Sequence, residues 1–586
     1  MVSADRSTSE LTSSLLHSQA FLLKLLWLLF RCPSKMPETI REPYLKDLQY
    51  RGFIEGSTIK EKGSGRELAH YFGGLPYGLP PIGPYRWRLP RPLPPCYRYG
   101  TRANPGRFTG NTSMCPQGLP TWVENASDTS NLWDEDCLQL NIWIPSGEPP
   151  AGGWPVLFYI HGGFLQVGNP NEYNPVSLLS ETPARFIIVL PAYRLNLLGF
   201  LSSRELQAAA GAESVGNFGF WDQRLALEWT RKNVSYFGGD PGNITVAGYS
   251  AGSHSAFKQL AYDLYLPDSK AVIRRVIMWS NGPGMQPKSQ GAAQEQFDEL
   301  LTVLGIPLSL PAHEKVERLG ALPPRRLLAA IPKMQRHQFR AVVDDAFVRK
   351  NLYVDIDNGD FGWRMRARGV ALMTGECRDE HNLYGTWYPP GDSLQSLRAR
   401  LCAEYPSSAV DVLIQHYYPQ DRLPAGVCDW RDAFGRVYAD MQVHHLERGF
   451  IDKLHAGGAG DLVYRYRVEW RLRCCDRFLP PGWGVTHTAD KPIWWWGNGM
   501  ELAEEEKELA WTALTGPYVR FVKGELDELR KEWGTSGPSQ ARMVDPQGKL
   551  VIWEDSMWEE GTGVWNALRA VGATQTGRNI EESAKL

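Results

Sequence analysis

The chain has 586 residues, a formal net charge of −2 and an apolar fraction of 43%. That length holds several domains or one large α/β unit with insertions, and near-neutral charge gives no electrostatic case for nucleic acid as a partner. The nine cysteines are odd in number and too sparse for a disulfide scaffold. With no C-x-x-C pair and no H-E-x-x-H, a metal site has no support.

Near the amino terminus, Phe21–Phe30 is apolar but interrupted by Lys24. It is far shorter than the ~20 residues a spanning helix needs, and no small-x-small cleavage site follows. We therefore expect residues 1–35 to be a leader outside the fold and residues 36–586 to form one domain. There is no convincing signal peptide or transmembrane anchor, and localisation stays open between cytoplasmic and secreted.

From Gly73 to Pro95 the chain is rich in Pro and Gly and reads as extended loop. Short apolar runs then alternate with helical patterns. The strands expected are Val156–Ile160, Phe186–Leu190, Ile244–Ala247, Arg275–Trp279, Val370–Met373, Leu462–Val468 and Leu550–Trp553. Several are continuously apolar, as in strands covered on both faces. Trp221, Leu225 and Trp229 form one stripe of a helix ending near Phe237-Gly238-Gly239. Gln294–Met334 is helix-rich with proline breaks and reads as an insertion over the sheet, in the place of a lid. Alternating strands and helices imply a mostly parallel central sheet flanked by helices, with ligands at the carboxyl ends of the strands.

Four segments carry chemistry. His161-Gly162-Gly163-Phe164 follows the first of these strands; a glycine loop there lets backbone N–H groups approach a carbonyl oxygen closely. Gly248-Tyr249-Ser250-Ala251-Gly252 follows the third. It fits the G-x-S-x-G turn that presents a serine hydroxyl above a sheet at a helix start, and the Ala251 N–H supplies a further donor. Thr374-Gly375-Glu376-Cys377-Arg378-Asp379-Glu380 follows the fifth and offers three carboxylates, Glu376, Asp379 and Glu380, between which chemistry alone does not choose. Gly484-Val485-Thr486-His487 lies in a late loop after the sixth. A serine needs a histidine base and the histidine a carboxylate, and the order serine, acid, histidine is that of α/β-hydrolases. Of the other histidines, His254 reads as packing on the helix after Ser250, and His444 and His445 as structural.

Further motifs extend over about Gly52 to Trp533. Glu135-Asp136-Cys137-Leu138-Gln139-Leu140-Asn141, Gly216-Asn217-Phe218-Gly219-Phe220-Trp221-Asp222-Gln223-Arg224 and Phe237-Gly238-Gly239-Asp240-Pro241-Gly242-Asn243 together resemble type-B carboxylesterases, the family of cholinesterases and fungal lipases. The resemblance implies an α/β-hydrolase fold with helical insertions over the active site. It implies hydrolysis of carboxylic esters, small-molecule or lipid, without a cofactor and through an acyl-enzyme. It selects Glu380 as the acid beside Ser250 and His487, and assigns the oxyanion hole to the Gly162 loop, with donors at Gly163 and Phe164, and to Ala251 next to the nucleophile as the third donor. It also implies a Cys115–Cys137 disulfide, which would suggest an oxidising compartment. The sequons at Asn111, Asn125, Asn233 and Asn243 fit secretion only if exposed.

The chain departs from the family at Tyr249, where Glu is usual, at Phe164, where the third loop glycine is usual, at Ser253 and at His381. The rival from another class is a catalytically silent binding or adhesion module of the same fold. The same triad also serves amides and thioesters. Oligomeric state and ester preference are not read from the sequence. The run Trp494-Trp495-Trp496 reads as packing, with a pocket wall as the alternative.

Overall fold

In a computed structural model, the structure describes residues 38–118, 130–285 and 287–572. The segment expected to be a leader and the Asn125 sequon lie outside these. Thirteen strands form one sheet. Twelve are β1 (Thr39–Asp47), β2 (Phe53–Glu61), β3 (Glu67–Pro76), β4 (Gln139–Pro145), β5 (Trp154–Ile160), β6 (Ile187–Pro191), β7 (Gly239–Tyr249), β8 (Arg275–Trp279), β9 (Ala371–Cys377), β10 (Val463–Val468), β11 (Gln540–Val544) and β12 (Leu550–Glu554). They run in the order β1-β2-β3-β4-β6-β5-β7-β8-β9-β10-β11-β12, and the short strand Gly106–Arg107 pairs with β2.

From β6 through β11 every pairing is parallel; along this order both flanks are antiparallel, and the short strand Gly106–Arg107 joins β2 in parallel. Parallel strands turn the same ends to the same edge of the sheet. The loops after β5, β7, β9 and β10 therefore emerge together, although they span residues 161 to 487. The seven expected strands all fall on observed ones. The expectation missed β1 to β4 and β11. β1 is polar, mostly exposed and carries Pro43, as suits an edge strand. β3 runs into the segment read as loop because its Gly73-Gly74 pair sits at a register shift between Phe72 and Leu75, a bulge that glycine tolerates.

Two helices frame β7. Helix α1 (Phe218–Asn233) continues as a tight turn over Val234–Phe237 and stops at Gly238, whose φ of 87° suits glycine. The single apolar stripe was too simple. Trp221 and Leu225 are only partly buried, whereas Phe218, Phe220 and Leu227 are fully enclosed. α1 packs on several sides, and its polar residues are paired: Arg194 bonds Asp222 at 2.6 Å and Arg224 bonds Asp263 at 2.7 Å. Helix α2 (Ala251–Asp263) starts directly at the end of β7. Helix α3 (Gln290–Leu304) and the short helices Ala312–Gly320 and Pro324–Leu328 make up the helix-rich segment expected there. Cys115 and Cys137 are disulfide-bonded. Asn233 is buried with its amide donating to the Trp229 carbonyl, so that sequon is no glycosylation site. Among the described residues no helix is long and apolar enough to cross a membrane.

Candidate active site

Ser250 sits between β7 and α2 with φ 58° and ψ −127°, a conformation that costs a non-glycine residue about 1–3 kcal/mol. The flanking glycines make it possible. A Cβ on Gly248 would lie 2.0 Å from the Gly252 carbonyl oxygen, and one on Gly252 2.0 Å from that of Ile160. The Ser250 N–H donates to the Trp279 carbonyl at 2.9 Å, tying the turn to β8. The first N–H groups of α2, beginning at Ala251, have no intrahelical acceptor and carry the positive end of the helix dipole.

The glycine loop after β5 lies against this turn. A Cβ on Gly162 would come within 2.6 Å of the Tyr249 carbonyl oxygen and 3.1 Å of the Ser250 Cβ. Gly163 has φ 110° and leaves no room for a side chain beside the Val167 carbonyl. Phe164, at the position where the family has a third glycine, adopts φ 59°. Its ring finds a place flat on Trp387, centroids 3.8 Å apart. Phe164 and Ala251 both line the cavity beside Ser250. His161, at the head of the loop, bonds the Gly162 carbonyl at 2.9 Å and stacks on Tyr193. Burial pushes its pKa down to about 4, so it is a neutral structural group.

The three candidate carboxylates separate cleanly. Glu380, fully buried, accepts from His487 Nδ1 at 2.5 Å through one oxygen and from the Cys377 N–H at 2.9 Å through the other. Asp379 accepts from Arg378 and from the Val485 N–H at 2.9 Å, two residues before His487. A Cβ on Gly484 would lie 2.2 Å from Asp379 Oδ2, so the glycine lets the loop close on this carboxylate. Glu376 faces elsewhere, toward the helix α4 (His445–Ala456) and the turn before it. It bonds His444 at 2.6 Å, Arg448 at 3.0 Å and Arg467. Burial alone would raise its pKa, but Arg448, His444 and Arg467 hold it well below the carboxylate range. His444 is thus structural, as expected.

Two tyrosines pack against the imidazole. Their rings lie 4.7 Å (Tyr384) and 5.2 Å (Tyr249) from that of His487. The buried Tyr384 phenol also accepts from the Asn281 amide at 3.4 Å and lines one cavity with Ser250. The Tyr249 hydroxyl donates to Asp490 Oδ1 at 2.5 Å and accepts from the Thr488 N–H at 2.9 Å. Burial raises the pKa of Asp490, offset in part by Tyr249 and Trp494. The side chain that departs from the family's Glu is therefore a clamp on the histidine loop. Tyr249→Phe leaves the part-buried Thr488 N–H and the buried Asp490 carboxylate each short of a partner, a cost of about 1–3 kcal/mol for the carboxylate. We expect a lower melting temperature and, because reacting groups shift, a kcat reduced more than KM changes; thermal denaturation and steady-state kinetics check both.

Ser250, His254 and Tyr384 line a cavity of about 80 Å³ together with Arg340 and Lys288. His254 was read as packing; it does touch Phe220 and Phe257 but also faces this cavity. Trp494 and Trp495 pack on Trp279 and Tyr159, so the tryptophan run is sheet packing. Sequence reading missed Lys288 and Arg340, which come from segments with no motif of their own.

The chain has clear relatives. The profile of the Carboxylesterase family matches residues 44–556. A carboxylic ester hydrolase of Gibberella moniliformis is 47% identical over 539 residues, covering 90% of this chain and 97% of that protein. The para-nitrobenzyl esterase of Bacillus subtilis is 28% identical, covering 79% and 88%. Among solved structures, EstA of Aspergillus niger superposes with a TM-score of 0.71 at 21% identity, covering 90% of this chain and 98% of EstA. That likeness shows the α/β-hydrolase fold.

Proposed function

The chain belongs to the carboxylesterase family and is a carboxylic ester hydrolase; from this premise we propose that it works through a Ser250–His487–Glu380 triad and an acyl-enzyme intermediate. The observation that carries the reading is the 2.5 Å contact between His487 Nδ1 and Glu380. It fixes the proton on Nδ1 and leaves Nε2 as the base.

Ser250 Oγ attacks the acyl carbon while His487 Nε2 takes its proton. The carbonyl oxygen, now negative, receives the N–H groups of Gly163, Phe164 and Ala251, which are held in place before the charge develops. His487 passes the proton to the leaving alcohol oxygen as the ester C–O bond breaks. Water then attacks the acyl-enzyme by the same route, releasing the acid and restoring Ser250. Glu380 keeps its hydrogen bond to Nδ1 throughout and stabilises the imidazolium. No step in this scheme calls on a cofactor. Residues 36–586 act in this reading as one unit, since the four loops belong to one sheet.

The test is a trapped intermediate. Mixed with p-nitrophenyl butyrate and quenched in acid, the protein gains the mass of one butyryl group, and peptide mapping finds it on Ser250. An adduct on another residue, or turnover with no adduct at the shortest times, contradicts the scheme.

A further inference from the structure

The cavity beside Ser250 contains more positive charge than the proposed chemistry uses. Lys288 Nζ donates to Gln296 Oε1 at 2.6 Å and to the Gln338 carbonyl at 3.1 Å. Both acceptors are neutral. An ammonium has three donors, so one is left over. Among the described residues no carboxylate pairs with Lys288. Arg340, on the same cavity, donates to the Phe164 carbonyl at 2.6 Å, to Glu404 at 3.1 Å and to the Tyr438 hydroxyl at 2.9 Å. Its Nε is buried without a hydrogen-bond partner. Glu404, the one carboxylate lining the cavity, is shared with Arg400 at 2.9 Å. Lys288, Arg340 and Arg400 thus have Glu404 between them.

Lys288 and Arg340 are partly buried and share the single carboxylate Glu404; burial of such an excess of charge is costly, and the neighbouring groups register it. Burial, with Arg340 adding to it, lowers the Lys288 pKa to about 7. Burial followed by Lys258 and Arg340 drives His254 well below its ordinary value. One open donor on Lys288 and the Arg340 guanidinium share one cavity of about 80 Å³ with the serine hydroxyl. A carboxylate there would take the open Lys288 donor and offset the charge of both cations, and the small volume confines it to a few bonds from the reacting carbonyl.

We propose that this cavity is an anion subsite, and that the substrates are short esters bearing a free carboxylate that seats against Lys288 and Arg340. The proposal rests on the reading of Ser250 as the nucleophile. The carboxylate lies on either the acyl or the alcohol part, and the two are separated by probe. Monoethyl succinate carries it on the acyl side and is compared with ethyl pentanoate. O-Acetylglycolate carries it on the alcohol side and is compared with ethyl acetate. Acid release is followed in a pH-stat, below the Lys288 pKa of about 7.

The expected result is a kcat/KM about tenfold or more higher for one charged ester than for its neutral partner, equivalent to ~1.4 kcal/mol. Lys288→Met lowers that ratio by about the same factor, and Lys288→Arg restores it. The ratio is read within each variant, so a loss of folded protein does not mimic the effect. A second measurement separates subsite from chemistry: calorimetry of monoethyl succinate and O-acetylglycolate with the Ser250→Ala protein. Binding that is lost in Ser250→Ala/Lys288→Met upholds the subsite even where no ester is turned over, and the esterase scheme then falls alone. Hydrolysis of the neutral esters with no preference for either charged one, or a preference unchanged in Lys288→Met, overturns the subsite and leaves the triad standing.

Discussion

Ser250→Ala lowers kcat/KM for p-nitrophenyl butyrate by about 10⁴-fold or more while the protein keeps its fold. The size follows from the scheme: without Oγ there is no covalent intermediate, and only binding and oxyanion donors remain. Alanine removes one atom at a site where the backbone is already held at φ 58° by its glycine neighbours, so the turn itself should survive. Circular dichroism and melting temperature establish that. Steady-state hydrolysis by protein purified free of host esterases gives the rate. A residual rate within tenfold of the parent would mean that the hydroxyl is a bystander.

The second large effect discriminates among three acids that the sequence places within five residues. Glu380→Gln is expected to cost about 10³- to 10⁴-fold in kcat, because an amide no longer fixes the Nδ1 proton or stabilises the imidazolium. Glu376→Gln is expected to act on stability instead. It leaves Arg448 and Arg467 without their shared carboxylate, a loss of about 3–5 kcal/mol for a broken buried pair. The pH dependence gives a further mark. The folded-state pKa of Glu376 is depressed, so its stabilisation is present above the unfolded carboxylate value of about 4.3. That stabilisation is lost as pH falls through the lower folded value, and Glu376→Gln removes this part of the acid-induced loss. Asp379→Asn falls between, since it holds Val485 and closes the loop on Gly484. Ranking kcat and melting temperature across the three variants tests the assignment; a greater loss of kcat in Glu376→Gln than in Glu380→Gln would reverse it.

The elements that hold the reacting groups were legible because parallel strands buried on both faces leave long apolar runs, as in Val156–Ile160 and Arg275–Trp279. Glycine clusters marked the turns where backbones touch. The Gly248, Gly252 and Gly162 positions each meet a neighbouring backbone oxygen at close range. The amino-terminal strands were hidden because an edge strand such as β1 is polar and a bulged one such as β3 carries glycines. The choice among Glu376, Asp379 and Glu380 could not be made from composition, since Glu376 lies at the end of β9, Asp379 and Glu380 follow it within a few residues, and their side chains take different directions. It was the family likeness that selected Glu380, and the hydrogen bonds show why the other two are occupied. Tyr249 looked like a lost charge; its contacts to Thr488 and Asp490, some 240 residues away in sequence, make it a clamp. Lys288 and Arg340 had no periodicity or motif to mark them, because only the tertiary fold brings them to Ser250.

One measurement bears most directly on the whole account: a crystal structure of the protein inactivated by an alkyl phosphonate ester. The expected electron density joins Ser250 Oγ to phosphorus, puts His487 Nε2 about 3 Å from an ester oxygen, and has the phosphoryl oxygen about 3 Å from the N–H groups of Gly163, Phe164 and Ala251. Phosphorus bonded to any other side chain, or a phosphoryl oxygen turned away from those N–H groups toward solvent, would contradict it.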